Sequence, residues 1–143
     1  MKIHIITVGE PKLEYASKGW ELYIKRLQHY HTLRITHIAD KHAYDAPYIL
    51  ERVGKAYSIA LVIGAPQMTS PKLAQFLDDR AMAGQGVCCI IGGPEGLPEQ
   101  VIRAADKQWG LSELTFPHDL AMVMTAEALY RASTISAGQP YHK

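Results

Sequence analysis

The stretch Val87-Cys88-Cys89-Ile90-Ile91-Gly92-Gly93-Pro94-Glu95-Gly96 runs five apolar residues directly into two adjacent glycines and a proline. Five apolar residues bounded by turn formers read as a buried strand. Upstream, Gly84 and Gly86 close a helix that opens at Ser70, a helix-capping residue with Pro71 at the first helical position, and runs to about Met82. Before it, Ile59 to Ile63 reads as a strand ended by Gly64 and Pro66, Ile49 to Tyr57 as a short helix, and Asp40 to Pro47 as a loop. Leu33 to Ala39 alternates like a strand. Leu13 to Tyr30 places Trp20, Tyr23, Ile24 and Leu27 at helical spacing, with Lys18, Lys25 and Arg26 giving a basic side. Lys2 to Val8 is β-branched and apolar, and is stopped by Gly9 and Pro11. Downstream, Leu97 to Ala105 reads as a helix, Gln108 to Phe116 as a short strand and turn, and Asp119 to Ala137 as the last helix.

Strands thus alternate with helices throughout, which argues for an α/β fold with a parallel sheet flanked by helices. No linker or repeat divides the chain, so residues 1–143 are expected to form a single domain. In such sheets ligands bind beyond the carboxyl ends of the strands. The segments after Ile63, Ile91 and Trp109 are therefore where chemistry is expected.

Composition narrows the function classes. The chain is 48% hydrophobic and 20% charged, an ordinary globular balance. Met1 to Gly9 has no cleavage site of the signal-peptide kind, and no apolar run reaches the roughly 18 residues of a membrane span. A soluble, cytoplasmic protein is expected. The only cysteines, Cys88 and Cys89, are neighbours and would point to opposite faces of a strand, so they cannot easily pair. The formal net charge is +1, so any attraction to nucleic acid must come from a local patch. The seven histidines show no metal-ligand spacing, and no metal is expected.

Four segments carry chemistry-bearing residues. Gly92-Gly93 after a strand lets a backbone approach a ligand closely and frees its N–H groups, although a tight turn alone explains it equally well. It is neither a dinucleotide fingerprint nor a phosphate loop. Leu111 to Phe116, followed by Pro117 and His118, mixes apolar walls with small hydroxyls, as an adenosine pocket requires. Its plain alternative is a strand-to-helix connection, with His118 as a turn residue. The last helix is apolar nearly all round, yet carries Glu127 and Arg131 four residues apart on one face. That pair is either a structural ion pair or an arginine reaching a site where negative charge gathers. The tail Pro140-Tyr141-His142-Lys143 is either a frayed end or a set of groups suited to stack on a base and hold a phosphate.

Taken together, IIGGPEGL (90–97), LSELTFPHDL (111–120), AEALYRA (126–132) and PYHK (140–143) closely resemble the RlmH family. These are bacterial 23S rRNA pseudouridine N3-methyltransferases of the SPOUT superfamily. Val8-Gly9 and YIKRL (23–27) resemble the family's opening, so the likeness spans essentially the whole chain. The resemblance implies a carboxyl-terminal trefoil knot, a homodimer packed near it, and methylation of the family's target, pseudouridine-1915, on the assembled ribosome. It implies S-adenosyl-L-methionine bound by Leu61, Gly92 and the run Leu111, Ser112, Glu113, Leu114, Thr115 and Phe116. Substrate-side residues fall on Arg131, Tyr141 and His142. The chain departs from the family's usual pattern at Met122, where a basic residue is common, and at Ala65-Pro66, where glycine-lysine is.

The sulfonium methyl of the cofactor is already activated, so the enzyme must mainly place the attacking ring nitrogen in line with it. That nitrogen must lose its proton. By residue type His142 suits acceptance of that proton, and Arg131 suits stabilisation of the charge developing on the base. Two alternatives remain at this stage: a methyltransferase of the same fold acting on tRNA, and a nucleotide-binding module without chemistry.

Overall fold

The computed structural model describes all 143 residues. Five strands, β1 (Lys2–Val8), β2 (Thr32–Ile38), β3 (Tyr57–Leu61), β4 (Val87–Ile91) and β5 (Lys107–Trp109), form one sheet in the order β2-β1-β4-β3-β5. Every pairing is parallel. β4 lies between β1 and β3, and all five of its residues are buried, as its apolar run requires. Four α-helices connect the strands, α1 (Glu14–Leu27), α2 (Ala46–Val53), α3 (Ser70–Met82) and α4 (Glu99–Ala104), and α5 (His118–Ser136) follows the last strand.

Alternation along the strands divides the core in two. Ile3, Ile5, Val87, Cys89 and Ile91 pack with Trp20 and Leu27 of α1, Leu73 and Leu77 of α3, and Met122 and Leu129 of α5. Ile6, Cys88 and Ile90 face the other way, onto Ile49 and Val53 of α2 and Val101 of α4. The two cysteines therefore lie on opposite faces, both unpaired and buried. Burial pushes the Cys88 thiol up to about 12 and the Cys89 thiol higher still, so neither is a thiolate at neutral pH.

Most element boundaries fall within a few residues of the sequence reading, and the larger differences have local causes. The helix expected over 49–57 is Ala46–Val53. Asp45 caps it by accepting the Tyr48 N–H at 3.2 Å, and Gly54, at φ +65°, ends it. Tyr57 consequently opens β3, and Val62 and Ile63, expected in that strand, become loop residues. Thr69, not Ser70, caps α3, accepting the Lys72 N–H at 3.2 Å. The helix expected over 97–105 is six residues long, Glu99–Ala104, and the segment 40–47 contains a 3-10 turn at Asp40–His42.

α5 is held to the rest by close approach. Gly19 of α1 lies against Val123, where a Cβ would come within 3.1 Å of a valine methyl. At the start of α5, the buried Asp119 carboxylate accepts the backbone N–H groups of Lys12 and Leu13 at 2.8 and 2.7 Å. Near the other end, Ser133 donates to Leu129 O at 2.7 Å, so the His31 Nε2–H must donate to the Ser133 hydroxyl, 2.8 Å away. His31 Nδ1 is buried without a partner, which disfavours a second ring proton. Burial, helped by the nearby chain amino group, pulls His31 down to about 4.

Below its ordinary value of 6.5, His31 binds a proton in the unfolded chain but not in the folded one until about pH 4. Folding stability is therefore lost as pH falls through that window, at up to about 1.4 kcal/mol per unit. Urea unfolding at pH 7 and pH 4.5 measures it. His31→Gln is expected to narrow the difference between the two conditions, and an unchanged difference would assign the acid sensitivity elsewhere.

Candidate active site

β4, β3 and β5 are neighbours, and their carboxyl ends open onto one cleft. Leu61 is the last residue of β3, Gly92 follows β4, and Leu111, Ser112, Leu114, Thr115 and Phe116 follow β5; all of them line it. Glu113 does not: it is exposed at the tip of a turn in which Ser112 Oγ accepts the Leu114 N–H at 3.0 Å. The glycine loop turns back on itself through a Gly96 N–H to Gly93 O bond of 2.9 Å. A side chain at Gly92 would lie 2.5 Å from the Gly96 carbonyl carbon, so only glycine closes this turn.

Further residues complete the walls, of which Pro94 and Gly96 belong to the glycine segment singled out in the sequence, while Val62, Ile63 and Ala121 were not named as site residues. Val62 and Ile63 line the cleft because β3 ends early, and Pro94, Gly96 and Ala121 contribute as well. Ile63 and Leu114 are 64% and 69% exposed, large apolar side chains left open to solvent. His118, expected to be a turn residue, is the first residue of α5 and lines the cleft. Both its ring nitrogens are shielded from solvent and neither has a hydrogen-bond partner. Only three-dimensional placement reveals this, because no spacing in the sequence distinguishes His118 from a helix-start residue.

The substrate-side candidates form a second cluster, on the outer side of α5. Glu127 Oε1 accepts Arg131 Nε at 2.9 Å and Nη2 at 2.7 Å, and the Tyr141 hydroxyl at 3.0 Å. The Arg131 guanidinium sits 4.8 Å from the centre of the Tyr141 ring, which packs edge-on to Tyr130 at 4.7 Å. The Tyr23 hydroxyl is 3.5 Å from that of Tyr141. The tail is thus docked, and Arg131, Tyr141 and His142 are together. Arg131 Nη1 lies 3.1 Å from His142 Nδ1. Arginine can only donate, so Nδ1 accepts and the imidazole proton sits on Nε2. The hydrogen bond to Glu127 holds Arg131 above its ordinary value, and burial, followed by the bonds to Tyr23 and Glu127, raises Tyr141.

An apolar groove with walls at Leu111, Val123, Met124 and Ala128 runs from the cleft toward Glu127. Ala121 in the cleft and Arg131 in the cluster are ten residues apart on one helix, about 15 Å at 1.5 Å per residue. Met122 is fully buried in the core and faces neither site. Ala65 is buried at the point where the chain crosses Gly110.

A parallel sheet with glycine-lined loops gathered at one end, and a basic–aromatic cluster on the last helix, defines a class. The chain belongs to the SPOUT methyltransferase family, whose model, described as "Predicted SPOUT methyltransferase", matches residues 1–142. Within it the chain falls with the proteins named ribosomal RNA large subunit methyltransferase H. It is 48% identical to that protein of Deinococcus deserti, covering 100% of both chains, and 46% identical to that of Deinococcus radiodurans, covering 100% and 99%. Among solved structures, tRNA (m1G37) methyltransferase from Aquifex aeolicus superposes with a TM-score of 0.61 at 14% identity, over 99% of this chain and 72% of that one. A probable methylase family protein from Haemophilus influenzae gives 0.61 at 10% identity, over 99% and 70%. These two likenesses concern the fold alone.

The tail cluster has a spectroscopic signature. Among the eight tyrosines, Tyr141 is expected to ionise above the ordinary value of 10. Phenolate absorbance followed through an alkaline titration should lose a late component in Tyr141→Phe and shift it earlier in Glu127→Gln. Titration curves identical to wild type would mean the tail is undocked in solution.

Proposed function

We propose that this methyltransferase binds S-adenosyl-L-methionine in the cleft at the ends of β3, β4 and β5. It passes the methyl group to N3 of a pseudouridine in 23S rRNA of the assembled ribosome, working as a cytoplasmic homodimer. The observation that carries the cofactor assignment is the cleft itself. It offers apolar walls for an adenine ring, a tight glycine loop, and a histidine whose shielded ring nitrogens have no protein partner. The rRNA target rests on full-length relatives named as large-subunit rRNA methyltransferases. The crowded crossing of 110 over 65 supports the trefoil knot that the family resemblance implies.

Bound S-adenosyl-L-methionine supplies a methyl group that needs no further activation. The protein's residues then bind, orient and manage one proton. Arg131, beside the base, offsets negative charge developing on its oxygens. The Tyr141 ring gives the base a stacking face. At rest His142 is no base, because Arg131 occupies its Nδ1. A substrate oxygen that draws the guanidinium away frees Nδ1 to accept the N3 proton, coupling charge stabilisation to proton loss.

Methyl transfer requires reacting atoms about 3–3.5 Å apart. The 15 Å along α5 between a cleft and the cluster of the same chain favours a site shared by two copies, one giving the cleft and the other the tail. Exposed Ile63 and Leu114 at the rim supply apolar surface for such contact.

Four measurements test this reading. S-adenosylhomocysteine should raise the melting temperature of the protein, and Gly92→Val should abolish the shift; a preference for ATP or NAD would make the chain a nucleotide-binding module. Sedimentation should give about twice the monomer's 15.9 kDa. Single-turnover methylation of ribosomes should fall at least about a hundredfold in His142→Ala and Arg131→Ala, with cofactor affinity kept. Co-refolding Gly92→Val with Arg131→Ala chains should restore on the order of a quarter of wild-type activity, since only mixed dimers carry one complete site. No restoration would place each site within one chain, and methylation of tRNA in place of ribosomes would overturn the target.

A further inference from the structure

At the amino-terminal edge of the sheet, opposite the cleft, the first residues of β1, β2 and β4 and the turns near 55 and 85 enclose an open groove. Lys2, Arg34 and Lys55 border it, all three exposed. None pairs with a carboxylate, and no aspartate or glutamate lines the groove. Several cations elsewhere sit beside acids, as Lys18 does with Glu14, Arg103 with Glu99 and Arg131 with Glu127, whereas the groove gathers three without an acid among its lining residues. In a chain of net charge +1, this groove is a concentration of positive charge that the composition conceals. Thr32 and Gln85 add uncharged hydrogen-bonding groups to its walls. His4, its fourth basic group, is 2.7 Å from Thr36 Oγ1, and burial and Arg34 hold it below its ordinary value.

Three exposed cations along an open, acid-free channel suit a run of phosphates better than a single buried anion, which would need an enclosing wall. We propose that this groove binds the sugar-phosphate backbone of the RNA substrate, as a second contact separate from the methyl-transfer site. The inference rests on the rRNA reading above. β1 spans the distance between the two places: Lys2 borders the groove, while Val8 packs against Gly93 of the cofactor loop. Six residues of extended chain make that about 20 Å. An RNA that carries the target base and extends over that span engages both, and two weak contacts on one molecule multiply through effective concentration.

The test uses full-length protein and intact ribosomes, with binding and methylation measured across salt concentrations. The Lys2→Gln, Arg34→Gln, Lys55→Gln triple variant should raise KM for ribosomes by about ten- to a hundredfold. It should also flatten the log K against log salt slope by roughly 0.7–0.9 for each phosphate that is no longer neutralised. The rate at saturating ribosomes and S-adenosylhomocysteine affinity should stay at wild-type values, which also verifies folding. Arg34→Lys, which keeps the charge, should keep the slope. An unchanged slope and KM in the triple variant would overturn the groove. So would an equal loss per charge in Lys41→Gln, Lys72→Gln, whose lysines lie outside it, because the effect would then be one of net charge. Failure of the wild-type protein to bind ribosomes at all would instead sink the rRNA reading.

Discussion

The close passage of the chain at Gly110 over the backbone of Ala65 sets the rest of the structure. A Cβ at position 110 would collide with the Ala65 carbonyl oxygen, and the crossing is sealed by Val62 N–H to Trp109 O at 2.9 Å and Gly110 N–H to Pro66 O at 3.1 Å. Those bonds bring the segment after β3 beside the segment after β5. The glycine loop after β4 closes the third side, and the three together are the cleft. It is therefore a consequence of how backbone crosses backbone, more than of any one side chain. The crossing also aims the chain into α5, where Asp119 takes up two free N–H groups before α1.

α5 resolves a conflict between burial and polarity. Met122, Ala126, Leu129 and Ala132 fill the core side, while Thr125, Ser133 and Thr134 are also buried. Their hydroxyls donate to Ala121, Leu129 and Arg131 carbonyl oxygens of the same helix at 2.7–2.8 Å, so burial leaves none unsatisfied. With small residues and self-satisfied hydroxyls, the helix packs against both α1 and α3. What remains for the outside is an apolar stripe and the Glu127–Arg131 pair, which is what a helix needs if it is to serve as a wall between two sites.

Much of this was legible in the sequence. The strand–helix alternation, the buried β4 run and the opposed cysteines are local patterns, and they predict the parallel sheet because each depends on neighbours in the chain. The cleft residues Leu61, Gly92 and Leu111 to Phe116 were named by motif, and they converge with the exception of Glu113. Long-range placement was not legible. Whether the tail frays or docks depends on Tyr130 and Tyr23, residues remote from Tyr141, meeting it in space. His118 looks like a helix-start residue until the cleft forms around it. Likewise, the groove of Lys2, Arg34 and Lys55 gathers residues from three separate segments, and no window of sequence contains it.

The tail cluster also explains why an arginine and a histidine in contact need not repel or compete. Glu127 takes two of the Arg131 donors, so the guanidinium is held in plane and its remaining edge points to His142. An arginine so placed can only donate, so its contact masks the Nδ1 lone pair of the imidazole. The masking is weak, being an exposed hydrogen bond of 3.1 Å, whereas the pairing with Glu127 is bidentate in donors and partly buried. An incoming anionic or carbonyl oxygen therefore displaces the histidine before it displaces the glutamate. Under the proposed mechanism, this order of bond strengths lets the arrival of an acceptor release the histidine lone pair without any movement of the helix that carries the arginine.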